Sequence, residues 1–120
     1  MTLQDRPTAA ELLEAVREFL EREVLPSTDG RVAFHARVAL NALTIVEREL
    51  VLGPELEARV RTHLGELLGD DGPLDELVDR LAAGIRHGSL DARGDDVMAA
   101  TRELVRAKLE ISNPRYAAAE

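Results

Sequence analysis

Cysteine and tryptophan are both missing from this 120-residue chain. Without cysteine there is no disulfide, no thiolate metal ligand and no thiol nucleophile. Aromatic residues are nearly missing as well: Phe19, Phe34 and Tyr116 are the whole set. That scarcity disfavours an RNA binder built on stacked aromatic platforms, and it disfavours a β-sandwich. Lysine is reduced to Lys108 beside fourteen arginines, a skew read as a GC-rich bacterial codon habit. No apolar run approaches the roughly 18 residues that a membrane span requires. Residues 1–7 hold two charges and no apolar segment of the kind a signal peptide needs. The protein is therefore expected in the cytoplasm, with no membrane partner.

What remains is aliphatic and acidic. Nineteen Leu, seventeen Ala and ten Val must supply the core, and Leu, Ala, Glu and Arg are strong helix formers. The net charge of −8 argues against nucleic acid, whose phosphates demand cations. A chain this short has room for one domain that buries about two-thirds of its unfolded surface. The expected fold class is all-α: a single compact bundle of about five helices over residues 1–120, with 1–7 and 117–120 frayed.

Turn residues mark the five segments. Thr8-x-x-Glu11 is a capping box that starts a helix, with Leu12, Leu13, Val16, Phe19, Leu20 and Val24 on one face. Pro26 and the turn from Ser27 to Gly30 stop it. A second helix, about Arg31 to Leu52, has little polar face and reads as a central helix touched on several sides. Gly53-Pro54 divides it from a third, which runs to about Leu68 with Leu56, Val60, Leu64 and Leu67 inward. A fourth, Leu74 to His87, turns Leu74, Leu77, Val78, Leu81 and Ile85 inward. The fifth, about Asp95 to Ile111, turns Val97, Met98, Thr101, Leu104, Val105 and Leu109 inward and stops before Pro114.

A search for catalytic residues finds little. His35, His63 and His87 fall on three different segments, and none sits at a spacing that puts two ligands on one helix face. His63 and Glu66 read as a surface pair, and His87 suits the negative end of its helix. Ser27, Ser89 and Ser112 occupy turns or ends, without the context of an activated nucleophile. No catalytic residue, metal ligand or cofactor is assigned.

One segment departs from the acidic background. From Gly30 to Val46 there is no Asp or Glu, while Arg31, His35 and Arg37 are present and Arg48 follows. At 100° per residue, Arg37, Asn41, Thr44 and Arg48 fall within about 60° of one another. Two readings of this stripe stand. It pairs with carboxylates on helices one and five, or it receives an acidic group from a partner or ligand, for which the arginine fork is suited. Near the C-terminus, Tyr116 either packs back on the bundle or anchors an interface with Arg115.

Several of these segments resemble a known family. The residues are Arg6 to Leu13 leading into Phe19-Leu20, Gly30 to Leu43, Arg48 to Leu50 with Leu52-Gly53-Pro54, and Asn113-Pro114-Arg115-Tyr116. The pattern is similar to that of small bacterial proteins of unknown function. It also resembles, through them, the accessory subunit of the hydroxyacyl-CoA kinase of levulinate (4-hydroxy acid) catabolism. The resemblance implies a non-catalytic subunit whose partner is an aminoglycoside-phosphotransferase-like kinase. That kinase phosphorylates the 4-hydroxyl of an acyl-CoA, and an acyl-CoA-dehydrogenase-like enzyme then removes the phosphate. It marks Phe34, His35, Arg37, Asn41, Arg48, Asn113, Arg115 and Tyr116, without a catalytic role for any of them. Candidate contacts to a partner or an anion are thus Arg31, His35, Arg37, Asn41, Arg48, Arg115 and Tyr116. Beside this stands a self-associating helical protein, such as a homodimer, that binds an acyl-CoA or other anion on its own. A free-standing enzyme using His35 is the third alternative.

Overall fold

A computed structural model describes residue 3 and residues 5–119, with side chains as far as residue 116. Among the described residues there is no strand, and the fold is all-α with five helices: α1 Ala9–Phe19, α2 Gly30–Leu68, α3 Leu74–His87, α4 Gly94–Ser112 and α5 Pro114–Ala119. The chain divides into two compact units, residues 1–51 and 52–120, the first ending and the second beginning within α2.

In the N-terminal unit the capping box forms as read. The Glu11 N–H donates to Thr8 Oγ1 at 3.1 Å, and the Thr8 N–H donates to Glu11 Oε1 at 3.0 Å. That backbone N–H, and secondarily the Thr8 hydroxyl, hold the Glu11 carboxyl below the ordinary glutamate range. A depressed carboxylate pKa contributes stability that is full above the unfolded-state value and is lost as pH falls through the folded value. The NMR titration midpoint of Glu11 is therefore expected below the ordinary range, with α1 helicity declining as pH passes through it. Glu11→Gln should abolish that decline.

After α1 the chain continues helically, with a π-turn over Leu20–Val24 and a 3-10 turn over Leu25–Ser27. Pro26 has no N–H to give, and the carbonyls left behind are taken by hydroxyls. Ser27 donates to Glu23 O at 2.6 Å and Thr28 to Val24 O at 2.7 Å.

The expected break at Gly53-Pro54 does not occur; the second and third segments are one 39-residue helix. A glycine stops a helix by adopting positive φ, and Gly30, Gly69 and Gly88 do so while Gly53 does not. Pro54 forfeits its own N–H bond and crowds the carbonyl one turn back, and the strong helix formers on both sides carry the helix past it.

The true end of α2 is at Gly69 (φ +69), where the N–H groups of Gly69 and Asp70 both return to Gly65 O, at 2.8 and 3.1 Å. The chain passes so close that a Cβ on Gly65 would lie 2.7 Å from Asp70 O. Gly65→Ala is expected to lower stability by about 1–3 kcal/mol, read by urea unfolding, because backbone must move to admit the methyl.

The core of the C-terminal unit joins Val60, Leu64 and Leu67 of α2, Leu77 and Leu81 of α3, and Ala100 of α4. Leu74, Val78, Val97 and Leu104 pack against it, as the spacing predicts. Ile85, Met98 and Val105 do not join it and are exposed, whereas Ala100, a small side chain overlooked in the periodicity, is buried. Arg93 ties α4 to the end of α2 by donating to Leu67 O at 2.6 Å. Beyond Asn113 the chain re-enters a helix. Pro114 opens α5, so residues expected to form a free tail are helical through Ala119. Of the ends expected to fray, residues 1, 2, 4 and 120 lie outside the described residues.

Candidate functional site

The second helix was expected at the centre of the molecule, its apolar residues covered on several sides. The first half of α2 is not covered in that way. Among the described residues of the N-terminal unit only Ala33 and Ala36 are buried, and the large side chains stay in contact with solvent. Phe34 is 60% exposed and Val38 52%, and Val32, Val46, Leu50 and Val51 are exposed with them. Leu12, Val16 and Phe19, half of the α1 stripe, are likewise exposed.

Helical spacing sorts α2 into two sides. On one lie Ala36, Leu40, Leu43 and Glu47. Arg17 of α1 reaches this side, its Nε donating to Glu47 Oε1 at 3.3 Å. Glu47 closes off this approach with an ion pair between partly buried groups. The opposite side carries Phe34, Val38, Ala42 and Ile45 within about 80° of arc. Arg31 and His35 stand on that same side, one turn from its apolar centre, and Asn41 and Arg37 border it.

The candidate residues distribute as follows. Arg31, His35, Arg37 and Asn41 are all exposed, so this end of α2 presents its polar groups to solvent. Arg31 and Arg37 make no ion pair among the described residues. An ion pair between α1 and α2 runs from Arg17 to Glu47, so at this contact the arginine stands on α1 and the carboxylate on α2. Arg48 is partly buried. Thr44 contributes nothing outward, since its hydroxyl donates to Leu40 O on its own helix at 2.9 Å. The His35 ring meets the Phe34 ring edge-on, centroids 5.5 Å apart. In the other unit, Arg115 is exposed, and Tyr116 does not pack back but stands 64% exposed on α5. His63 meets Glu103 of α4 with its Nδ1 rather than pairing with Glu66.

This arrangement has the anatomy of an interface: apolar centre, charged border, and an aromatic ring at its heart. The sequence contained every one of these residues, but their periodicity reads as core. No side-chain signal separates a stripe covered by its own chain from one left open.

Among the described residues no group of three His, Asp or Glu is placed to hold a metal ion, and no helix is long and apolar enough to cross a membrane. No curated protein and no solved structure matches the chain. One family model does, described as Domain of unknown function (DUF6285), over residues 26–116. The matched stretch takes in α2, α3 and α4 and reaches Tyr116 of α5, but it covers only about half of the N-terminal unit and leaves out α1. Three-quarters of the chain being covered, it belongs to that family.

Proposed function

We propose that this DUF6285 member is a non-catalytic accessory subunit that docks on a partner protein through the open face of its N-terminal unit. The observation that carries this reading is the exposure of Phe34 and Val38 on the side of α2 opposite Glu47; Val46 on α2 and Leu12, Val16 and Phe19 on α1 are exposed elsewhere in the same unit. Soluble chains seldom leave so many large apolar side chains uncovered in one small unit. A unit of some fifty residues has little core to lose, and here only two alanines of it are buried. A partner surface would supply the missing half.

The partner we propose is the phosphotransferase-fold kinase acting on hydroxyacyl-CoA to which the sequence resemblance points. Arg31, His35 and Arg37 at the border of the face would meet acidic groups there and set the register of docking. Support of the kinase step requires tighter binding to the active kinase conformation than to the inactive one. The direct test is co-expression with a phosphotransferase-fold hydroxyacyl-CoA kinase, size exclusion of the product, and hydroxyacyl-CoA-dependent ATP consumption with and without this chain. A stoichiometric complex and a rate increase are expected. Absence of both, or a chain that only pairs with itself, would overturn the proposal.

A further inference from the structure

A cleft of about 460 Å³ opens between the second half of α2 and α4 within the C-terminal unit. Leu56 and Val60, both buried, form its depth. Arg59 on α2 and Arg102 and Arg106 on α4 line it and are exposed to solvent. None of the three makes an ion pair among the described residues, although the chain carries 23 acidic side chains.

Arg102 and Arg106 are one helical turn apart, a like-charge spacing that costs a helix stability. A third guanidinium facing the same space adds to that repulsion unless an anion enters. Two carboxylates also line the cleft, Glu103 and Glu110. Glu103 is engaged from the side by His63 Nδ1. The three guanidiniums outnumber the two carboxylates facing them by one, and three forks offer more N–H donors than the two oxygens of a single carboxylate accept, whereas a phosphate head presents three. The volume lies within the range of small-molecule sites, which combine apolar walls with a few convergent charges.

We propose that this cleft binds a small molecule with a phosphate head and an apolar portion. Arg59, Arg102 and Arg106 hold the phosphate oxygens, for which the planar guanidinium fork is matched. The apolar portion lies along Leu56, Val60 and Ala107. The site belongs to the C-terminal unit and is separate from the docking face, so either can fail without the other.

Calorimetric titration of the full chain with hexyl phosphate, inorganic phosphate and hexanoate tests it. Hexyl phosphate is expected to bind at least tenfold more tightly than either of the others, since only it offers both head and tail. The double variant Arg102→Ala/Arg106→Ala should weaken it at least tenfold, and Arg59→Ala, on the other wall, should weaken it too. Arg31→Ala/Arg37→Ala should leave it unchanged. No binding of hexyl phosphate, hexanoate binding as tightly, or an equal loss in the Arg31/Arg37 variant would each overturn the assignment.

Discussion

Leu64→Ala is expected to cost the free protein about 3 kcal/mol of unfolding free energy, the largest effect of any single truncation in the chain. Leu64 is the most deeply buried side chain, at 0% exposure, and it is surrounded by Val60, Leu67, Leu77, Leu81 and Ala100. Removing its isobutyl group forfeits the transfer free energy of three carbons and leaves a cavity that neighbouring helices cannot close. Small domains are stable by only about 5–15 kcal/mol, so urea unfolding should report a large fall in midpoint. Leu77→Ala, at 1% exposure, should follow closely. Phe34→Ala removes a larger side chain but should change stability by about 0.5 kcal/mol or less, because the ring is mostly in water already. A cost below about 1 kcal/mol for Leu64→Ala would mean that the core of the C-terminal unit lies elsewhere.

The ranking should reverse when the complex is measured. Val38→Asp places a carboxylate at the apolar centre of the open α2 face, where docking would have to desolvate it. Unpaired burial of a charge is among the costliest events at an interface. We expect binding to the proposed kinase partner to weaken by at least about 100-fold, or about 2.8 kcal/mol at 1.4 kcal/mol per tenfold. Phe34→Ala should lose a comparable amount, as aromatic anchors near the centre of an interface commonly do. Arg37→Ala, at the border, should act differently. Its loss should be a few-fold, fall mainly on the association rate and shrink as salt is raised, since exposed charges steer encounter and are screened. The folded state of the free protein should be unaffected by all three, because each side chain is exposed.

Much of this organisation is legible in residue order, and the part that is not has a physical explanation. Thr8 and Glu11 satisfy each other across three residues, a purely local event, so sequence specifies it fully. The inward leucines at 56, 64, 67, 77 and 81 are legible because their spacing defines a face and the rest of the same unit covers it. Gly53-Pro54 misleads: a glycine stops a helix only where it adopts positive φ, and φ is not written in residue identity. The first half of α2 misleads for another reason. Periodicity says that a face is apolar; it does not say whether the chain that bears it also covers it. Arg59, Arg102 and Arg106 are silent in sequence altogether, because more than forty residues separate the first from the others and only the packing of α4 against α2 brings them to one cleft. The stripe of Arg37 and Asn41 was visible from helical spacing alone, and the structure adds that the apolar residues beside it are open.

The central claim is that the open face of the N-terminal unit is a docking surface. It is tested most directly by titrating the purified kinase with the wild-type chain and with Val38→Asp in a calorimeter. Saturable one-to-one binding by the wild-type chain, weakened at least about 100-fold by Val38→Asp while its melting temperature is unchanged, is the expected result. Equal affinity of the two chains, or no binding by either, would contradict it.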